Sequence, residues 1–461
     1  MPLRNLFIIA VTIGVCLLCY QAASKNRYAN LFAESLDIVE TRAIKKMDQE
    51  ELFTAAMEGM LKKVDDYSIY ISGESYQRFD ESLRQEFGGL GIYVDSLPDQ
   101  SSLVILATAP DTPAADAGLI SGDRIIEING ESTQNVARAD AVKKLKGVVG
   151  EPILLTIDRD GELMPVELQR RAIPVSSVRG DYRDEDNNWV FRLEDYPRIG
   201  YIRLRNFGAQ TADELESALK SIDGKVDGVI VDLRHNTGGL LTSAIRVCDL
   251  FLEGNKTIVS TEGRIKNEKH TSSNVVGIAK DVRVTVLINR YSASASEIVA
   301  GCLQDHERAV VIGEQSWGKG TVQDIIPVRP NRSVLKLTVA GYRRPSGQPI
   351  DRYDPAIETE GVWGVRPDSD NSLVLSDLDL VRNFQKRDML DIRTLIPIEQ
   401  RPKIMELLTT TTTVPLPEDA ESPEISEPTE VEATDLMQWE DRILRKAIEL
   451  LKSEPALGKA A

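Results

Sequence analysis

Val229-Ile230-Val231-Asp232-Leu233-Arg234-His235-Asn236-Thr237-Gly238-Gly239-Leu240 is the stretch on which the fold turns. A β-branched run over 228–233 enters a polar turn with two glycines, and an apolar helical pattern follows over 240–252. The same alternation recurs downstream: 282–289 and 309–313 read as buried strands, and 296–304 as a helix. From Tyr201 to about Tyr342 strands therefore alternate with helices, the pattern of an α/β domain. The turn itself is open to two readings. Backbone N–H groups at a glycine turn are natural anion donors, and a plain strand–turn–helix explains the residues equally well.

Around this core the chain is long enough for about two to four domains, having 461 residues. The 55 Lys and Arg against 72 Asp and Glu leave a net charge of −17, which excludes a nucleic-acid binder needing a basic face. Residues 418–435 hold eight acids and no base, so that stretch carries −8 and the remainder −9. The acidity is mainly that of a solvated tail. Four cysteines exclude a disulfide scaffold. The three histidines, His235, His270 and His306, lack metal-ligand spacing and exclude a zinc hydrolase of the H-E-x-x-H kind.

Leu6 to Ala23 are apolar apart from Thr12, Tyr20 and Gln21. Eighteen helical residues at about 1.5 Å each nearly span a bilayer core, and no A-x-A-like cleavage site stands out. Residues 1–24 are thus expected to be an uncleaved anchor in preference to a removed signal. Cys16 and Cys19 form a C-x-x-C that reads as two small residues of that helix. Residues 28–85 read as amphipathic helices, with Leu31, Leu36, Ile38, Phe53, Met57 and Leu61 on apolar faces. The Thr, Pro and Glu run of 409–434 cannot bury a core and reads as a disordered linker. Beyond it Ile443, Leu444, Ala447, Leu450 and Leu451 recur at helical spacing, with nothing to say where that helix docks.

Ahead of the core, Phe87-Gly88-Gly89-Leu90-Gly91-Ile92-Tyr93-Val94 sets a glycine loop before a strand. Such loops let successive N–H groups converge on an anion, and the strand can accept an extended peptide. Downstream, a short helix ends on Gly118 and a strand turns at Asn129-Gly130. The two motifs together resemble a PDZ domain over about 85–172. The resemblance maps Gly89, Leu90, Gly91 and Ile92 onto the carboxylate-binding loop of that family.

Two further motifs carry chemistry. In Tyr291-Ser292-Ala293-Ser294-Ala295-Ser296-Glu297 a serine stands at a helix mouth, where N–H groups are free. Ser294-x-x-Glu297 is also a helix capping box, the reading this segment alone favours. In Gly313-Glu314-Gln315-Ser316-Trp317-Gly318-Lys319-Gly320-Thr321-Val322-Gln323 a single lysine follows a buried strand. Burial disfavours an ammonium, as a general base near neutral pH requires; an exposed loop lysine is the bland alternative. Gly313 to Lys319 also fits a phosphate loop, but Gly320 stands where Ser or Thr should be. The residues after it read as a strand where that loop would open a helix.

Taken together these motifs resemble the carboxyl-terminal processing peptidases, or tail-specific proteases, over about 35–365. Asp66-Tyr67-Ser68-Ile69-Tyr70-Ile71 and Arg344-Pro345-Ser346-Gly347-Gln348-Pro349-Ile350 extend the likeness. The resemblance implies Ser294 as nucleophile, Lys319 as its base and Gln323 as support for the lysine. It implies oxyanion donors at the Ala295 N–H and at Gly238 or Gly239, and no metal or cofactor. Asp305 matches a family aspartate without a derivable role. His235-Asn236-Thr237 stands for the commoner N-N-P, and His306-Glu307 for a Tyr/Asn-Gly pair.

The expected architecture is multidomain α/β (α+β), with a PDZ domain inserted before an α/β serine-protease core. Its parts are an anchor or signal (1–24), a helical region (25–84), the PDZ domain (85–172), the core (173–365), an extension (366–408), the linker (409–434) and a terminal helix and tail (435–461). The expected activity is endoproteolysis near substrate C-termini, with PDZ recognition of the free carboxylate. The expected partners are protein or peptide substrates with free C-termini and a membrane bound through the N-terminal segment. No nucleic acid is expected. The helices of 28–85 resemble a region through which family members can form homo-oligomers. The apolar run of 1–24 is expected to hold the enzyme on a cell membrane as a single-pass protein, and the resemblance implies that it faces the periplasm or another exported compartment. A catalytically silent, membrane-anchored PDZ binding protein is the alternative.

Overall fold

The computed structural model describes residues 5, 7, 9–15, 27–97, 102–184, 187–273, 282–329, 333–354, 357, 361–396, 399 and 438–453. The linker 409–434, Cys16, Cys19 and most of the 1–24 segment lie outside the described residues. Among the described residues no helix is long and apolar enough to cross a membrane. The chain divides into two compact units, one of residues 1–76 and 323–338, the other of 77–322 and 339–461.

The first unit holds helices Arg27–Arg42 and Gln49–Leu61. Asp48 caps the second, its Oδ1 accepting from the Glu50 N–H at 2.8 Å. The expected run of helices is interrupted by the strand Ile69–Ser72, which pairs antiparallel with 333–336. The sequence explains the break. Asp65 Oδ1 accepts from the N–H groups of Tyr67 and Ser68 and so builds a turn, after which Ile-Tyr-Ile alternates as a strand does. Phe53 then packs edge-on to Tyr70, with ring centroids 5.8 Å apart.

The second unit contains the PDZ fold and the α/β core. The PDZ strands Ile92–Ser96, Leu103–Thr108, Arg124–Ile128, Pro152–Arg159 and Glu162–Gln169 lie in that order in one antiparallel sheet. Their inward residues Val94, Leu103, Ile105, Ile125, Ile153, Leu155 and Ile157 form a core closed by Ala141 and Leu145 of helix Arg138–Leu145. Asn129 and Gly130 both take positive φ (50° and 79°), as a tight hairpin requires.

In the core, strands Val178–Arg179, Ile199–Leu204, Gly228–Asp232, Arg283–Ile288 and Ala309–Gly313 form one sheet in chain order. All pairings are parallel except the first. Helices Thr211–Ile222, Leu241–Asp249 and Ala295–Asp305 connect them, the last two within a residue or a few of the sequence expectation. Alternation sorts the faces: Val229 and Val231 pack with these helices, while Ile230, Leu287 and Ile312 face the other way. That second face is covered by the terminal helix Arg442–Ser453 through Ile443, Leu444, Ala447, Ile448 and Leu451. Arg234 fixes this docking with a two-pronged contact to Asp441, both at 2.9 Å. The extension 366–408 contributes the long helix Asp377–Leu395, whose end sets Ile392 and Ile396 against Val104 and Leu106 on the back of the PDZ sheet.

Candidate active site

Parallel strands deliver their C-terminal ends, and the turns after them, to one crevice. Here those turns are 233–240 after Gly228–Asp232, 289–294 after Arg283–Ile288, and 314–320 after Ala309–Gly313. The three sequence motifs occupy these three turns.

The three serines of the second motif separate sharply. Ser292 is fully buried, its Oγ donating to the Leu233 carbonyl at 2.9 Å. Ser296 is also fully buried and donates to the Asn236 carbonyl at 2.8 Å. Ser294 alone is partly exposed. It sits at φ 55° and ψ −113°, a conformation a serine adopts only under constraint, immediately before helix Ala295–Asp305. A strained serine on a strand-to-helix turn is how a hydroxyl is presented from a parallel sheet.

Glu297 supplies the constraint. Its carboxylate is fully buried and accepts four hydrogen bonds. Oε2 takes the N–H groups of Ser294 and Lys319, each at 2.8 Å. Oε1 takes the Gly318 N–H at 2.7 Å and the Ser316 hydroxyl at 2.5 Å. One carboxylate oxygen thus ties the backbone of Ser294 to that of Lys319. Burial pushes the Glu297 pKa up to about 7, against the pull of its four donors. The Ser294-x-x-Glu297 capping pattern is therefore present in its Glu297-to-Ser294 arm, and the same glutamate also organises the lysine turn.

Gly238 and Gly239 lie against the Ser294 turn. A Cβ on Gly238, at φ 107°, would stand 2.8 Å from the Ser294 Cβ and 3.1 Å from the Ala295 N. The Gly238 N–H, however, donates to Asn236 Oδ1 at 2.9 Å and is committed. The N–H groups of Ala295 and Gly239 meet no acceptor among the described residues. Sequence reading missed Asn236, which is fully buried and bonds on every side. Its Nδ2 donates to the Leu204 carbonyl at 2.8 Å and its carbonyl accepts from Ala293 N at 3.0 Å. The only signal was an amide between a strand and two glycines.

Lys319 is partly exposed in a turn bounded by Gly318 and Gly320. Trp317 beside it carries the Arg352 guanidinium 4.2 Å above its ring. The strand that follows, Thr321–Arg329, has no helix to offer a phosphate. Gln323 falls in the first unit, where its Nε2 donates to Thr338 Oγ1 at 3.3 Å. Asp305 gains a role: with Gln304 it holds the buried Arg344, and its Oδ2 accepts the Ser346 N–H at 3.0 Å. It anchors the 344–348 turn to the end of helix Ala295–Asp305.

In the PDZ domain, Leu90 and Gly91 link strand Glu86–Gly89 to Ile92–Ser96. Their carbonyls accept from Ala114 and Ala109 at 3.0 and 2.8 Å, while their N–H groups meet no acceptor among the described residues. Gly91 has φ 75°, and a Cβ there would lie 2.3 Å from Thr112. Strand Ile92–Ser96 ends the sheet order, so its outer edge pairs with no described strand. Among the described residues no three His, Cys, Asp or Glu side chains are grouped to hold a metal.

Comparison with known proteins gives the family of the chain. Residues 198–370 match the model of peptidase family S41, and 82–158 that of the PDZ domain. A carboxy-terminal-processing protease of Bartonella bacilliformis is 40% identical over 336 residues, 71% of this chain and 74% of that protein. A Staphylococcus aureus protein described as a probable CtpA-like serine protease is 32% identical over 333 residues, 71% of this chain and 63% of its own length. Among solved structures, the photosystem II D1 C-terminal processing protease aligns over 77% of this chain and 96% of its own, at 22% identity and a TM-score of 0.40. The chain belongs to the carboxy-terminal-processing serine peptidases of family S41 and carries the PDZ domain of that group.

Proposed function

We propose that the chain is an endopeptidase that cuts proteins near their C-termini with Ser294 as nucleophile and Lys319 as general base. The observation that carries the assignment is the sorting of the serines. Ser292 and Ser296 are buried and bonded to carbonyls, while Ser294 is accessible, strained and tied through Glu297 to the lysine backbone. Lys319 accepts the Ser294 proton as Oγ bonds to the peptide carbonyl carbon. The resulting oxyanion is received by the N–H groups of Ala295 and Gly239, Gly238 being engaged by Asn236. The protonated lysine returns its proton to the leaving amine, and water, deprotonated by the same lysine, releases the acyl group. Each oxyanion donor is worth about 2.7–4 kcal/mol.

Substrate selection is assigned to the PDZ domain. The unengaged N–H groups of Leu90 and Gly91 suit a terminal carboxylate, and the open edge of Ile92–Ser96 suits backbone pairing with the last substrate residues. Residues 1–24 are assigned as the membrane attachment of an exported enzyme, on the strength of their eighteen-residue apolar run. Digestion of one protein bearing either a free-acid or an amidated apolar tail tests the substrate assignment. The free acid should be cut at least about tenfold faster, since a charge-assisted hydrogen bond is worth about 1.5–3 kcal/mol. Equal rates would refute carboxylate reading. Deleting 1–24 should leave a soluble, active enzyme, and a native protein found soluble and starting near Ser24 would refute the anchor.

A further inference from the structure

Behind the turn that carries Gly238, a cavity of about 20 Å³ is lined by Arg203, Arg205, His235, Asn383, Phe384 and Arg387, with Asp232 and Arg234 in its wall. The charges around it do not balance by contact. Asp232 is saturated by Arg234 and the Tyr201 hydroxyl, and Asp391 is held by Arg179 and Arg203. Asp441 is held by Arg234 and Asn383, and Asp181 by Arg387. Arg205 is left with no hydrogen bond or ion pair to any carboxylate among the described residues; Asp388 and Asp391 act on it only at longer range.

Two more nitrogens on this cavity lack partners. Arg203 is 4% exposed, and its Nη1 has no acceptor. His235 Nε2 is buried and likewise unpartnered. The His235 ring cannot turn away easily. It stacks on Tyr291 at 5.5 Å and meets Phe384 edge-on at 5.5 Å, while Arg205 lies over the same Phe384 ring at 5.0 Å. Burial, with Arg234 and Arg205 close by, lowers the His235 pKa to about 3 against the pull of a side-chain hydrogen bond with Asn383, so the ring is neutral at working pH and can offer Nε2 as an N–H donor.

We infer that this cavity is a binding site for a small monovalent anion of chloride type, held by Arg205, Arg203 Nη1 and the His235 Nε2–H. Unpartnered donors that include two guanidinium groups ask for an acceptor with charge. The cavity has room for about one water-sized particle, which admits a monatomic anion and excludes sulfate or phosphate. The anion would brace the turn from behind. His235, three residues ahead of Gly238, has φ 58°, and its N–H is held by Asn289 Oδ1. The site is independent of the assignment of Ser294 and Lys319, and its failure would leave that assignment intact.

The test is thermal unfolding of the full chain in sodium chloride, bromide, gluconate and sulfate at matched ionic strength and pH. Chloride and bromide should raise Tm in a saturable way, by about 2 °C or more at saturation, and gluconate and sulfate should not. In Arg205→Gln the halide-specific rise should vanish. In His235→Phe, which keeps the ring stack, it should need higher halide to saturate. Should Arg205→Gln not fold, the wild-type halide series and His235→Phe decide. Identical Tm in chloride and gluconate would show that water fills the cavity and would overturn the proposal. So would a halide-specific rise that persists unchanged in Arg205→Gln, or in His235→Phe should the former not fold.

Discussion

Replacing Glu297 by glutamine separates two consequences of one buried carboxylate. Folding lifts the Glu297 pKa from its ordinary 4.5 to about 7. A carboxyl raised in the fold stabilises it fully below the unfolded pKa and loses that stabilisation as pH climbs through the folded one. Between pH 4.5 and 7 the folded chain holds a proton that the unfolded chain has released. At 1.36 kcal/mol per unit the contribution lost is about 3 kcal/mol. Wild-type stability should therefore fall by about that amount from pH 4.5 to 7.5 on account of this group, and Glu297→Gln should lack the fall. Activity should run the other way. Only the ionised form can accept from Ser294, Ser316, Gly318 and Lys319 together. The glutamine NH₂ must oppose at least one backbone N–H, at about 1.5–3 kcal/mol per charge-assisted bond lost. At pH 8 kcat/KM should drop at least about tenfold, and the acid limb of the wild-type pH profile near 7 should lose its Glu297 component. Urea unfolding from pH 4.5 to 8.5 and peptide hydrolysis over the same range measure both. A variant with the wild-type pH slope of stability and kcat/KM within about twofold would refute the bracing and the titration together.

The other perturbations act at neighbouring points. Ser292→Ala and Ser296→Ala should keep most of the peptidase activity and lose about 1–3 kcal/mol of stability by urea titration, because each removes a buried hydroxyl bonded to a carbonyl. Gly238→Ala, at φ 107° and with its new Cβ 2.8 Å from that of Ser294, should fold less stably by about 1–3 kcal/mol and lose hydrolysis of any peptide. Asp305→Ala leaves the buried Arg344 without its carboxylate and should cost about 3–5 kcal/mol in Tm-derived stability. Ile443→Ala should cost about 2–5 kcal/mol, since Ile443 is fully buried on the second face of the core sheet.

What could be read from the sequence was what is local. The strand and helix boundaries between Gly228 and Gly313 emerge from β-branched runs and glycine turns, because buried parallel strands are continuous in sequence. The PDZ motifs were legible because positive φ at Asn129, Gly130 and Gly91 demands those residue types. Long-range pairing was not legible. Nothing in the spacing of Ile443 and Leu451 says that they cover Ile230 and Leu287, and nothing at Asp305 names Arg344, 39 residues on. The strand Ile69–Ser72 was lost among helices because four residues are too few to show a period against their flanks. Gly238 or Gly239 was expected to donate to an oxyanion, and the Asn236 side chain, two residues before Gly238, takes the Gly238 N–H. A glycine pair shows that the backbone can turn, not which of its two N–H groups the turn leaves free.

Active-site labelling with a serine-directed acylating probe at pH 8, mapped by peptide mass spectrometry, tests the central claim most directly. A single adduct on Ser294, lost in Lys319→Ala and in Lys319→Arg, which stays protonated, is the predicted result. An adduct on Ser292 or Ser296, or undiminished labelling of Ser294 without Lys319, would contradict it.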